Sequence, residues 1–245
     1  MVTGAAKEIW VYADLRSERL FGFCLNVLAK ARELARTVSG KAAVVLMDSS
    51  ADSVQEASPG AVAYMSAEAA AEQSIDHGAD AVYVLDHPGL VTPRADVYAP
   101  ALAEAVQKQK PLLVLFALTD FGGELAARTA RIMNAGLIAH CGDLRMEKEK
   151  VVATCASWGG EIMAEITFSN GLPTGFATVE PHILQAIAVR GEPGTTQRIQ
   201  VDRLREPKGL RLISSSAEPE EHRKLEEVEV VVVGGAGLGL SLIHI

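Results

Sequence analysis

The chain has 245 residues, of which 49% are hydrophobic, 22% charged and 5% aromatic. A formal net charge of -8 repels phosphate backbones, and there is no basic stripe with interleaved aromatics, which excludes nucleic acid as a partner class. The length suits one large domain or two small ones and buries roughly 70% of the unfolded surface, so neither a disulfide nor a metal staple is required.

The first strand is expected over residues 8–13 (EIWVYA). Over 19–38 the apolar residues Leu20, Phe23, Val27, Leu28, Ala31, Leu34, Ala35 and Val38 recur at three- and four-residue steps, which predicts one face of a helix. Gly40 stands where a C-cap glycine belongs. Strands follow at 42–47 and, briefly, at 61–65. Ser66 caps a helix that runs to His77 and ends at Gly78. Residues 81–85 (AVYVL) form the next strand, and a helix over 96–108 stops before Pro111. The run 112–118 (LLVLFAL) is apolar throughout, the pattern of a central parallel strand buried on both faces. Thr119 or Asp120 follows it, and helix capping there outweighs a ligand role. A helix over 124–134 and a short strand over 137–140 complete the β-α alternation.

That alternation predicts a Rossmann-like α/β fold: a parallel sheet flanked by helices on both faces. The pattern then changes. Residues 144–156, 161–168 and 174–179 read as strands with few helices between them. The turn signals Trp158-Gly159-Gly160 and Asn170-Gly171 separate them, which predicts an antiparallel strand addition. Residues 147–150 (EKEK) read as a solvated hairpin. Residues 197–204 form an extended edge strand.

Residues 214–221 (SSSAEPEE) mark a second boundary. The run 228–233 (VEVVVV) is expected to be a buried strand, followed directly by Gly234, Gly235, Ala236, Gly237, Leu238 and Gly239. Glycines after a strand let a backbone approach a phosphate, although this spacing is not G-x-G-x-x-G. A strand and glycine turn six residues from the end read as a truncated second domain. The expected organisation is a domain over 1–205, a linker over 206–227 and the first strand of another domain over 228–245.

Few residues carry chemistry. Cys24, Cys141 and Cys155 form no C-x-x-C pair and read as buried thiols in a reducing compartment. His140, Cys141 and Asp143 are close in sequence but match no zinc spacing, so no metal is expected. His77, His87, His182, His222 and His244 are scattered, and no Ser/His/Asp set can be picked out, so no catalytic residue is assigned. The first ten residues lack a secretory signal, and the run 112–118 is too short to span a bilayer. No membrane insertion is expected, and the location reads as cytoplasmic.

Residues 96–179 carry a family resemblance. Lys110-Pro111, then Thr119-Asp120-Phe121-Gly122-Gly123-Glu124-Leu125-Ala126 after an apolar strand, are similar to the T-x-x-G-R-D-L-A segment of electron-transfer flavoprotein α subunits, the FixB group. Gly136-Leu137-Ile138-Ala139-His140-Cys141-Gly142-Asp143-Leu144 resembles the group's G-L-x-x-D-C-x-x-L. Trp158-Gly159-Gly160-Glu161-Ile162-Met163-Ala164 resembles its F-G-G-N-x-M-A, and Phe176-Ala177-Thr178-Val179 its M-A-T-V. Gly123 stands in place of Arg, His140 in place of Asp, and Pro181-His182 in place of R-P-G.

The resemblance implies an N-terminal domain of the adenine nucleotide α hydrolase-like kind, followed by an FAD-binding domain. FAD would meet Gly234, Gly235, Ala236 and Gly237, with Ala236 where many members have an FAD-contacting Arg. Most FAD contacts would lie beyond residue 245, so this chain alone would not retain the flavin. The implied role is a redox carrier and not a stand-alone enzyme. It pairs with a β subunit and takes electrons from dehydrogenases, such as the acyl-CoA dehydrogenases of fatty acid β-oxidation, to quinone-reductase type partners. The alternative is a free-standing ATP- or AMP-binding module of the universal-stress type, which would lack the antiparallel addition. A dinucleotide dehydrogenase beginning at Val228 is a weaker third reading.

Overall fold

The computed structural model describes residues 7–49, 65–147, 150–169, 174–181, 186, 194–202, 204, 210, 213, 230–235 and 237. The strands are β1 (Glu8–Tyr12), β2 (Lys41–Asp48), β3 (Ala81–Asp86), β4 (Leu113–Ala117), β5 (Leu137–Glu147), β6 (Lys150–Ser157), β7 (Ile162–Thr167), β8 (Gly175–Val179) and β9 (Thr195–Gln200). The helices are α1 (Glu18–Thr37), α2 (Ala67–Asp76), α3 (Ala95–Gln109) and α4 (Asp120–Met133). All nine strands form one sheet in the order β7-β6-β5-β8-β4-β1-β2-β3-β9. From β5 to β9 the pairing is parallel, and β6 and β7 add antiparallel to the β5 edge. The expected Rossmann-like sheet with an antiparallel addition is therefore present.

Side-chain alternation splits the interior in two. Ile9 and Val11 pack with Phe21, Leu28 and Leu34 of α1 and with Ala70 of α2. Trp10 and Tyr12 face the other way, against Leu102 and Val106 of α3 and Leu125 of α4. Each helix thus covers a sheet face that would otherwise expose Val, Leu and aromatic surface to water. Capping fixes the helix starts: Ser17 Oγ accepts from Leu20 N at 3.2 Å, and Ser66 Oγ from Ala69 N at 3.1 Å.

Several expectations need correction. Residues 174–179 are no part of the antiparallel addition. β8 lies between β4 and β5, parallel to both, with all five residues buried. A strand apolar on both faces belongs in the middle of a covered sheet, and the neighbouring turn signals hid this. Gly40 does not supply the left-handed residue after α1; Ser39 does, with φ 52°. Gly40 instead lets chains approach, because a Cβ there would lie 2.0 Å from the Lys7 carbonyl oxygen. The strand at 137–140 continues without a break to Glu147, with a register shift between Cys141 and Asp143.

Residues 61–64 of the expected short strand lie outside the described residues, and Met65 is not in a strand. Val230–233 form no strand and are 47–94% exposed. A strand exists through its hydrogen-bonded neighbours, and this run has none in the nine-stranded sheet.

Candidate functional site

The sheet order reverses between β1 and β4. The chain passes from β1 through β2 to β3 on one side, then returns to place β4 on the other side of β1. Loops leaving the two strands diverge there and open a crevice, the usual ligand position in such folds. Here an Asp14–Arg16 pair occupies part of it. Asp14, just past β1, is 4% exposed and donates its N–H to Cys24 Sγ at 3.3 Å. Its carboxylate accepts a fork from Arg16, Nε at 2.9 Å and Nη2 at 2.7 Å, and a third bond from the Arg16 backbone N–H at 3.1 Å. The same guanidinium lies 4.3 Å from the centroid of Phe121, at the start of α4 across the reversal point. A planar cation held by a bidentate carboxylate and stacked on a ring is pre-organised. Thr119 does not face the crevice as a ligand would; its Oγ1 caps α4 by accepting from Gly122 N at 3.0 Å, and Asp120 is exposed.

Beside this pair is a cavity of ≈ 180 Å³ whose lining includes Tyr12, Asp14, Arg16, Met47, Asp48 and Tyr98. Of its two carboxylates, Asp14 is paired by Arg16 and Asp48 by Arg198 of β9. Arg198 reaches Asp48 at 2.6 Å and Glu68 at 2.5 Å, and it lies 3.7 Å from Asp86. Asp86 is 2% exposed and also accepts from Gln200 Nε2 at 3.1 Å. Burial, followed by the Asp14 charge, pushes the Tyr12 phenol well above its usual range. Burial likewise pushes the Cys24 thiol up to about 12, against the lowering effect of the Asp14 N–H bond. Both groups stay protonated at neutral pH, so neither supplies a nucleophile.

Among the described residues, His77, His87 and His140 are not lining residues of this cavity; His182, His222 and His244 lie outside the described residues. His87 accepts from Gly89 N at 2.9 Å, and His140 lies 3.6 Å from Glu180 on the exposed side of β5. Among the described residues, no three His, Cys, Asp or Glu side chains are grouped to hold a metal ion. No helix among them is long and apolar enough to cross a membrane.

The second notable surface is the antiparallel extension. β7 forms an edge of the sheet. Ile162 is 53% exposed, Met163 59% and Ile166 40%, and Trp158 at the preceding turn is 79% exposed. Trp158, Gly159 and Gly160 all have positive φ, at 55°, 68° and 94°. That region is open to glycine and disfavoured for a bulky residue, so the turn displays an indole at a conformational cost. Arg145 pins the flank by ion pairs with Glu147 and Glu165. An edge that no other strand of the described residues covers, with exposed Ile, Met and Trp, is a surface made for association. The sequence shows these strands but not their exposure, because I-M-x-x-I fits a half-buried strand equally well.

Of the four flavin candidates, Gly234, Gly235 and Gly237 lie outside the nine-stranded sheet, and Ala236 is outside the described residues. A Cβ built on Gly235 or Gly237 meets no atom within 4 Å.

Fold and crevice together define an open, doubly wound α/β domain with an Asp14–Arg16 pair at its switch point and an apolar sheet extension. Residues 9–204 match the electron transfer flavoprotein domain family, and the chain belongs to that family. It is 28% identical over 236 residues to the electron transfer flavoprotein subunit alpha of Thermoanaerobacterium thermosaccharolyticum, covering 95% of this chain and 66% of that protein. It is 24% identical over 235 residues to protein FixB of Clostridium saccharobutylicum, covering 95% and 65% respectively. It is also 28% identical over 244 residues to subunit LctC of a lactate dehydrogenase (NAD(+),ferredoxin) of Acetobacterium woodii, covering 97% of this chain and 54% of that subunit. The chain therefore spans about two thirds or less of the length of these relatives.

Proposed function

We propose that the chain acts as an α-type subunit of an electron transfer flavoprotein. It docks on a β-type chain, and the assembly carries electrons on FAD from dehydrogenases, acyl-CoA dehydrogenases among them, to a downstream acceptor. The observation that carries this reading is the apolar edge of β7 with Trp158 on a domain of this family. The resemblance extends to a β-named protein, the acryloyl-CoA reductase electron transfer subunit beta of Anaerotignum propionicum, at 27% identity over 146 residues.

In this reading Gly234, Gly235, Ala236 and Gly237 take up a flavin-facing role as part of an FAD-binding unit. FAD would supply the redox chemistry there, and the described residues supply docking and rigidity. Residues 1–205 are the scaffold domain and 206–227 the linker.

The test is co-expression with a β-type chain of the same family, followed by size exclusion with light scattering. A one-to-one complex is expected, lost on Met163→Asp. Two monomers eluting separately would overturn the proposal. This chain purified alone is expected to be colourless, and stoichiometric yellow flavin on it would contradict the scaffold role.

A further inference from the structure

Cys141 on β5 and Cys155 on β6 are register partners in the antiparallel pair. Both are free, at 0% and 3% exposure, in one apolar cluster with Leu144, Val151 and Ala153. The Cys141 thiol donates to the Ile138 carbonyl oxygen at 3.7 Å. Directly opposed residues of an antiparallel pair have Cα atoms about 4.5–5.5 Å apart. A disulfide requires about 4.4–6.8 Å. The register shifts immediately after Cys141, and His140 beside it has φ 56°, so the pair sits at an irregularity of the β5–β6 ladder. Cys24 sits apart on α1, bonded to Asp14 N and to the Leu20 carbonyl oxygen.

We propose that Cys141 and Cys155 are a cross-strand dithiol that closes reversibly to a disulfide, stapling β6 to β5. The partner reagent is a small-molecule disulfide. One protein thiolate attacks its S–S bond, releasing one small thiol and leaving a mixed disulfide. The second protein thiolate attacks the protein sulfur of that bond and releases the second small thiol. Two protein S–H bonds become one S–S bond, two electrons pass to the reagent, and the two protons leave on the released thiols.

Burial and the Cys155 neighbour both raise the Cys141 thiol, which holds it protonated while the strands are paired. Exchange therefore starts from a locally opened β5–β6 hairpin, and its rate follows that opening. The bond once formed is buried, so reduction is slowed by the same barrier. β7 is carried on β6, so closing the pair stiffens the base of the exposed edge. The thiols would close whether or not the chain carries electrons.

The full chain is incubated with millimolar oxidised glutathione, well below its melting temperature, and its thiols are then counted under denaturing conditions. The count should fall from three to one, from the three cysteines of the chain. Intact mass should drop by two hydrogens without a glutathione adduct, and the peptide map should link residues 141 and 155. The melting temperature should rise by about 5–10 °C, as a loop of this size allows, and return on adding dithiothreitol. Cys155→Ala should show neither the mass loss nor the rise. Three thiols remaining on the oxidised wild type, a bridge that involves Cys24, or bridging only between chains would each overturn the proposal.

Discussion

Strands β4 and β7 belong to the same sheet and have opposite surroundings. Every residue of β4 is buried, with Leu113, Val114, Leu115 and Phe116 at 0% exposure, whereas five of the six residues of β7 are exposed. The β4 region has helices on both faces and holds the fold together. The β7 region projects past the helices and has apolar surface to spare. Similar strand-like sequences thus do different work according to what covers them.

Substitutions should separate the two regions. The largest effect is expected in the centre: Phe116→Ala or Phe176→Ala should cost about 3–5 kcal/mol, read from denaturant unfolding. Both rings are fully buried and stack 6.5 Å apart. In the extension, Trp158→Ala should leave unfolding within about 0.5 kcal/mol of wild type and weaken association with a β-type chain about thirtyfold. An equal loss of stability in both regions would erase the contrast.

The Asp14–Arg16 pair is intermediate. Arg16→Met should cost about 2 kcal/mol, because it leaves the nearly buried Asp14 carboxylate without its fork; the partial exposure of Arg16 trims the larger penalty of a fully buried pair. Thr119→Ala should cost about 1 kcal/mol through the lost cap of α4. The smallest effect at neutral pH belongs to Cys24. An unfolded thiol ionises near 8.5 and this one near 12, so its share of stability is whole below about pH 8.5 and is lost as pH rises towards 12. Cys24→Ser should flatten that alkaline decline in a series of melting curves.

Much of the centre was legible because its strands are short apolar runs alternating with amphipathic helices. The helix over 19–38 differs from α1 by one residue at each end, and 81–85 from β3 by one. The position of β8 was not legible, since local pattern tells a strand's burial but not its neighbours. The Asp14–Arg16 pair in the crevice was missed for a similar reason. An Asp-x-Arg step after a strand looks like a solvated pair, and only the fold brings Phe121 against Arg16. The D-x-R step immediately after β1 was the available signal. The family, by contrast, was readable from motif order alone.

The place of β8 has a consequence for how the chain is made. Leu113 on β4 pairs with Gly175 on β8, and β8 in turn carries β5. Until residues 175–179 leave the ribosome, β5, β6 and β7 have no seat on the sheet, and the apolar edge of β4 stays open. Closing that gap requires a long loop to be drawn in before any contact rewards it, a slow step by nature. A nascent chain paused before this strand would expose two unpaired edges at once, which is where a holding chaperone would be needed.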